Sequence, residues 1–445
     1  MSDNSSQTRG SFSSRLGFIL ASAGSAIGLG NLWKFPYVAG TSGGGLFFII
    51  YMLFMVILGI PIIFTEISIG RATKLNPIDA YSSLNKKCGF IGLFGILASF
   101  LIICFYSVVG GWVLKYFFKY LLNADFGAQP EKYFSSFTAQ TLEPVIWHAV
   151  FLIVSVSIVA LGISKGIEKI SKVILPALFV IIIILGVRAV TLEGSFEGIK
   201  YLFFPHTSQL SSLSDFGDVA VLALGQVFFS LSLGSGVSIT YGSYITKKSN
   251  LLKDSVLISV LDTSIAVLAG IAIIPAVFAF GLNVSEGPGL IFETLTLVFD
   301  NIVFGRLFGT IFFLLVFFAA ITSSISMLEV AASYIIDHFK VSRIKTVTII
   351  SAIVLVIGAF ASLSMGAVKI ELFSMPIFDL LDYISSKFLM PITAFSTCVY
   401  MGYFYKGDII SSQFENKKIL YNIYRCLIRY ITPFLILIIF IWGLI

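Results

Sequence analysis

The chain has 445 residues, 57% of them hydrophobic and only 12% charged, with a net charge of +6. That charged share is about half of what a soluble domain carries, too little polar surface for a chain of this length to cover itself in water. Apolar runs of about 20 residues recur from end to end without the alternation of a membrane barrel, so an all-α polytopic membrane protein is expected.

Residues 1–13 are polar and read as a cytoplasmic segment, with no cleavable signal peptide after them. About eleven spanning helices follow by the length rule, at 14–41, 45–71, 89–122, 144–163, 167–190, 215–247, 254–282, 304–338, 343–363, 373–405 and 419–444. The loops are short, and no separate soluble domain is expected. Lys and Arg gather in alternate loops: Arg71, Lys74, Lys86 and Lys87; Lys165, Lys169 and Lys172; Lys247, Lys248 and Lys253; Lys340, Arg343 and Lys345; then Lys406, Lys417, Lys418, Arg425 and Arg429. The other loops carry Glu193, Glu197, Asp215, Asp218, Glu286 and Asp300. The positive-inside rule puts the basic loops and the N-terminus in the cytoplasm, and an odd number of spans puts the C-terminus outside. Orientation in the inner (plasma) membrane therefore explains the basic balance; the implied partner is the lipid bilayer, with no nucleic acid. Cys88, Cys104, Cys398 and Cys426 have no metal or redox spacing and read as small hydrophobes.

Two spans are unusual. The first contains Gly24, Gly28, Gly30 and Asn31 within eight residues, and the sixth contains Ser230, Ser232, Gly234, Ser235 and Gly236. Glycine inside a helix costs about 1 kcal/mol against alanine, so such clusters at mid-membrane favour unwinding. Unwound backbone survives in a bilayer only where it is buried in protein or lines a cavity. A single cluster has an equal reading as a close helix-packing surface. Here two clusters lie five spans apart, each in the first helix of a five-helix unit, and an odd-numbered unit reverses its orientation in the membrane. Paired broken helices at matching positions are the mark of an inverted-repeat transporter. The expected organisation is a first five-helix repeat at 14–190, an extracellular loop at 191–214, a second repeat at 215–405, and a cytoplasmic loop with the eleventh helix at 406–445.

The ordered motifs go further. Residues 15–31 read RLGFILASAGSAIGLGN, followed by Trp33-Lys-Phe-Pro36, Gly43-Gly-Gly45 and Gly59-Ile-Pro61; the sixth span adds GQVFFSLSLG at 225–234 and the eighth AAITSS at 319–324. This set resembles the neurotransmitter:sodium symporter family, specifically its bacterial amino-acid branch with the leucine and tyrosine transporters, over nearly the whole chain. The resemblance implies sodium-coupled amino-acid import by alternating access, with sodium ions at two sites and no organic cofactor.

The resemblance also implies residue roles. The substrate carboxylate would meet the exposed amides of Leu29 and Gly30 at a half-helix N-terminus, which suits an anion, aided by the Tyr106 hydroxyl. Sodium site one would use Ala26, Asn31, Ser230 and Asp262 together with the substrate carboxylate. Sodium site two would use Gly24, Ile27, Ala319, Thr322 and Ser323. All are oxygen donors of the kind a hard cation takes; hydroxyls of 322–324 bonded back to their own helix remain the alternative. An acid inside an apolar helix is a functional signal in itself. The family usually has asparagine where this chain has Asp262, and a chloride-binding or acidic residue one turn later, where Ala266 stands. Transport is therefore expected to be independent of chloride. Lys34, usually arginine, would form an outer gate with Asp382 above the aromatic lid Phe229; alternatively Lys34 snorkels to the interface. Arg9 and Asp337, with Phe12, Tyr244 and Ser243, would form the inner gate. Glu66 is expected to satisfy amides of the unwound sixth span, and Glu329 to be structural.

The substrate pocket would be lined by Ala26, Leu29, Gly30, Ile102, Tyr106, Phe229, Ser230, Ser232, Ser235, Ser323 and Met327. Ser25 stands where monoamine carriers have aspartate, which argues for a free amino acid. Ser235 replaces a bulky aromatic of the leucine-type carrier, which favours a hydrophobic or aromatic L-amino acid, tyrosine or tryptophan ahead of leucine. The competing readings are a passive channel and a sodium-coupled carrier for another small zwitterion. No nucleophile–base pair, metal cluster or phosphate loop points to an enzyme. Nothing in the sequence sets an oligomeric state.

Overall fold

The computed structural model describes residues 10–127, 132–205, 213–245, 249–282, 289–414 and 417–442. Arg9, Lys247, Lys248 and Glu286 lie outside the described residues. Among those described, seven helices are long and apolar enough to cross a bilayer: Gly45–Thr73, Lys86–Leu121, Glu143–Ala160, Ile163–Val190, Leu251–Ala279, Gly305–Phe339 and Arg343–Leu363. They occupy the second to fifth and seventh to ninth expected positions. The first position is a broken span, Arg15–Ala26 and Gly30–Thr41, bent by 53°. Helical stretches at 213–243, 377–404 and 418–442 stand where the sixth, tenth and eleventh spans are expected. Their ordinals are kept below.

Local chemistry explains the ends of these helices. Ser14 caps the first helix, its Oγ accepting from Gly17 N at 3.0 Å, and Asn250 caps the seventh by accepting from Lys253 N. Each satisfies an amide that the first turn leaves without a partner. The sixth span ends at Ser230 and resumes at Val237. Between them Ser232, Gly234 and Gly236 have φ of 51°, 77° and 79°, a left-handed run no α-helix can hold.

The third and eighth spans are buried along most of their length and form the centre of the molecule, while the fourth, fifth and ninth expose long apolar faces such as Ile153, Val180 and Ile353. Those faces suit lipid. Glycines set the closest approaches. A Cβ on Gly70 would run into the Ile239 carbonyl, so the second span and the half of the sixth after its break touch backbone to backbone. This packing brings the two breaks side by side, with Gln226 and Ser230 bonded to Gly30 and Asn31.

Candidate functional site

Broken backbone must find partners for its polar groups in a medium that offers none. At the first break, Gly28 N donates to Asn31 Oδ1 at 3.1 Å and Leu29 N donates to the Tyr106 hydroxyl at 3.2 Å. Gln226 Nε2 donates to the Gly30 carbonyl at 2.9 Å. At the second break, Gly234 N donates to Glu66 Oε1 at 2.9 Å, and Ser99 Oγ donates to the Ser235 carbonyl at 2.6 Å. Side chains of the second, third and sixth spans therefore hold both breaks open. The contact to Glu66 agrees with the sequence reading. Gln226 and Ser99 escaped it, since an amide and a hydroxyl in apolar helices carry no signal until the opposing backbone is known.

Three of the residues expected at sodium site one converge, although they come from three different spans. Asn31 Nδ2 lies 2.8 Å from Asp262 Oδ1, 3.1 Å from the Asp262 carbonyl and 3.0 Å from Ser230 Oγ; Ser230 Oγ donates to Asp262 Oδ2 at 2.8 Å. All three are fully buried or nearly so. A carboxylate, an amide and a hydroxyl thus form one closed oxygen-rich knot. Ala26 lies beside it on the wall of the adjoining cavity.

The residues expected at sodium site two also gather, on the other side of the first break. Ser323 Oγ lies 3.1 Å from the Ser25 carbonyl and 3.3 Å from those of Ile27 and Ala319. Thr322 Oγ1 donates to the Ala319 carbonyl at 3.0 Å and to Phe318 at 3.1 Å, and its Cβ stands 3.4 Å from where a Cβ of Gly24 would be. Back-bonding within the eighth span and facing the broken first span are therefore not alternatives: Thr322 and Ser323 do both. The donor set of carbonyls and hydroxyls fits a sodium ion carried as a co-substrate.

Between the two clusters lies a cavity of about 20 Å³ lined by Ser25, Ala26, Gly28, Leu29, Gly30, Ile102, Tyr106, Phe229, Ser232, Ser323, Met327 and Met390. Nine of the eleven residues expected to line the substrate pocket are among these. Ser230 and Ser235 are not. Ser230 is turned to Asp262, and Ser235 Oγ donates to the Ser232 carbonyl at 2.6 Å, inside the broken segment. Ser235 is thus part of the turn rather than a cavity wall. Ser25, Gly28 and Met390 join the lining instead; Met390 comes from the tenth span, where no motif marked it. The space holds about one water, so a larger ligand requires a wall to move.

The expected gates differ in detail. Lys34 Nζ sits 4.3 Å from the centroid of the Phe229 ring, a cation–π contact over the cavity. Asp382 is near enough to act on Lys34 through space but makes no ion pair with it within 4.0 Å; its Oδ1 accepts from Ser386 Oγ at 2.7 Å. Lys34 therefore does not snorkel away, yet its direct contact is the lid and not the acid. Of the residues expected at the inner gate, Arg9 lies outside the described residues. Phe12 is buried, packs edge-on against Phe18, Tyr241 and Tyr244, and donates its amide to the Tyr244 carbonyl at 3.1 Å. Asp337 accepts from Asn76 Nδ2 at 3.3 Å. The Tyr244 hydroxyl donates to Glu329 Oε1 at 2.7 Å, and Arg343 grips the same carboxylate with both nitrogens at 2.6 and 2.9 Å. Ser243 bonds back to Thr240.

One inner contact was not foreseen. Glu168, at the start of the fifth span, accepts from Ser13 N at 2.7 Å, Ser13 Oγ at 2.6 Å, Ser14 Oγ at 2.9 Å and Lys172 Nζ at 2.6 Å. It clamps the start of the first helix, and Gly17 leaves room for it. No periodicity joins residues 155 apart.

The sequence matches the Sodium:neurotransmitter symporter family over residues 9–126 and 138–445. It is similar to the sodium-dependent transporter YhdH of Bacillus subtilis, at 37% identity over 439 residues and 96% of each chain. It is similar to a sodium-dependent transporter of Haemophilus influenzae, at 33% identity over 466 residues and 100% of each chain. Its fold resembles the crystal structure of MhsT in complex with L-phenylalanine, with a TM-score of 0.90 and 38% identity over 98% of this chain and 100% of that chain.

Proposed function

This chain belongs to the sodium:neurotransmitter symporter family, whose members are transporters and not enzymes, and from that premise we propose that it imports a hydrophobic or aromatic L-amino acid, driven by sodium and independent of chloride. It is a sodium-dependent, multi-pass transporter of the plasma membrane. The observation that carries the finer reading is the junction of the two breaks. There the Leu29 amide meets the Tyr106 hydroxyl on the wall of an apolar cavity, and Asn31, two residues further on, joins Ser230 and Asp262 in the knot. A zwitterion placed there puts its carboxylate against a half-helix N-terminus and beside an ion, so that ion and substrate each favour the other's binding.

The apolar end of the cavity is made by Ile102, Phe229, Met327 and Met390. Methionine is unbranched and adapts to the shape beside it, which suits a large apolar side chain. MhsT bound L-phenylalanine, a molecule of that kind. We place tyrosine and tryptophan ahead of leucine on this adaptability, since Ser235 is not at the wall. Asp262 supplies a fixed negative charge at site one, and Ala266 one turn on offers no ligand, so chloride has neither a task nor a seat.

In the assigned orientation the N-terminus and the basic loops are cytoplasmic and the C-terminus is outside, with repeats at 14–190 and 215–405. Two sodium sites are assigned, one at Ala26, Asn31, Ser230 and Asp262, the other at Gly24, Ile27, Ala319, Thr322 and Ser323. Lys34, Phe229 and Asp382 close the outside; Arg9, Phe12, Tyr244 and Asp337 close the inside.

Reconstitution into vesicles tests the reading. Labelled tyrosine should accumulate under an inward sodium gradient, equally in chloride and in gluconate, and preloaded substrate should drive counterflow. Uptake unchanged when choline replaces sodium, or the absence of counterflow expected of a channel, defeats it. Competition by all twenty amino acids ranks the substrate; selectivity for glycine or alanine would defeat the large-side-chain assignment.

A further inference from the structure

A second cavity, of about 380 Å³, shares no residue with the transport site and lies where the tenth span ends and the eleventh begins. It is bounded by Lys406, Arg425 and Arg429 and by the rings of Tyr403, Tyr405 and Tyr421, and no acid is among its described lining residues. None of the three cations has an ion pair within 4.0 Å among the described residues. The Arg429 guanidinium carbon lies 4.6 Å from the Tyr403 ring centroid and 5.5 Å from that of Tyr430, and its buried Nε has no hydrogen-bond acceptor among the described residues. The Tyr403 hydroxyl donates to the Arg429 carbonyl at 2.8 Å, which fixes the ring beneath the cation. Three unpaired cations around one cleft repel each other, and a buried donor without an acceptor is costly. An anion bound in the cleft relieves both.

The position in the membrane narrows the choice. Arg71, at the inner end of the second span, donates to Gln413 of the same loop and to the Ser249 carbonyl, so the cleft lies at the basic face of the protein. Beside it Phe404, Ile423 and Tyr430 are 68, 52 and 58% exposed, an apolar surface next to a positive cleft. Basic pockets between spans at the cytoplasmic side are the sites that suit anionic lipid headgroups.

We propose that this cleft binds a phosphate ester anion, supplied by the headgroup of an anionic phospholipid of the cytoplasmic leaflet whose chains lie along Phe404, Ile423 and Tyr430. The leaflet follows from the orientation assigned above; the anion site stands without it. The cleft rests on the second span through Tyr424, whose hydroxyl is 2.6 Å from Thr65 Oγ1, one residue before Glu66. Occupancy therefore braces the helix that holds the sixth-span break.

The test uses the full-length protein in detergent. Its melting is followed with added phosphatidylglycerol, with phosphatidylcholine of the same chains, and with free glycerol phosphate. Phosphatidylglycerol should stabilise it, and phosphatidylcholine should not. Each cation is expected to account for about fivefold in affinity. R425Q, which removes an exposed side chain with no hydrogen bond of its own, should weaken the effect about fivefold; K406Q/R425Q/R429Q should weaken it about a hundredfold. Both should keep sodium-dependent stabilisation by amino acid in phosphatidylcholine, which shows that they are folded and separates this result from the transport reading. Equal effects of the two lipids, or a phosphatidylglycerol effect unchanged in R425Q and the triple variant, overturn the site. Glycerol phosphate acting as strongly as the lipid overturns the lipid as source.

Discussion

Replacing Asp262 by asparagine changes one atom in the closed knot that joins the first, sixth and seventh spans. Asp262 now takes a hydrogen bond on each carboxylate oxygen, from Asn31 at 2.8 Å and from Ser230 at 2.8 Å. An asparagine has one acceptor and one donor group there, so one contact survives as a neutral bond and the other must reverse. Bonds to a charged acceptor are worth about 1.5–3 kcal/mol and neutral ones about 0.5–1.5 kcal/mol, so two weakened bonds remove about 2–3 kcal/mol of preorganisation. If this trio is what the ion binds, half-saturating sodium rises roughly 30- to 150-fold, at about 1.4 kcal/mol per decade. The measurement is a sodium titration of labelled amino-acid uptake at constant ionic strength, with choline as replacement. Chloride must not restore the variant, because Ala266 offers it no ligand. A D262N protein whose half-saturating sodium stays within threefold of the parent refutes the assignment of this site.

Other perturbations separate the parts of the machine. In G28A the new methyl would lie 2.7 Å from Ser323 Oγ and 2.8 Å from the Tyr106 hydroxyl, so uptake should fall below about a tenth while the protein still melts cooperatively; uptake within twofold of the parent would show that the break has slack. Among the described residues, Glu66 Oε1 accepts from Gly234 N and Oε2 has no hydrogen-bond partner. E66Q should therefore change stability by less than about 1 kcal/mol, whereas E66A orphans the Gly234 amide and should cost about 1–3 kcal/mol, a difference readable as melting temperature. E168Q weakens three bonds to Ser13 and Ser14 by about 1 kcal/mol each, loosening the inner end of the first span. A cysteine at Ser243, in a cysteine-free background, should then react several-fold faster with an impermeant thiol reagent from the cytoplasmic side; an unchanged rate argues that the clamp is merely local.

The composition alone set the class of protein, because a chain with so few charges has no soluble fold available to it. The glycine and serine clusters set the two breaks, since a left-handed run at Ser232, Gly234 and Gly236 is a local property of those residues. Asp262 marked the knot, because an acid in the apolar middle of a span demands partners wherever they are. These features are legible because their causes lie within a few residues of chain.

What the sequence left open depends on side chains meeting across the bundle. Ser235 was expected at a wall but turns inward, since the broken segment needs its hydroxyl more than the cavity does. Lys34 lies on the ring of Phe229 and not on Asp382, a choice between two partners from different spans that no local pattern makes. Glu168 holds Ser13 and Ser14, and Met390 completes the cavity; both come from spans with no motif of their own. In a membrane the apolar faces of all helices look alike to lipid, so which polar group meets which is decided by backbone approach at positions such as Gly70 and Gly17. That approach is a property of the packed bundle.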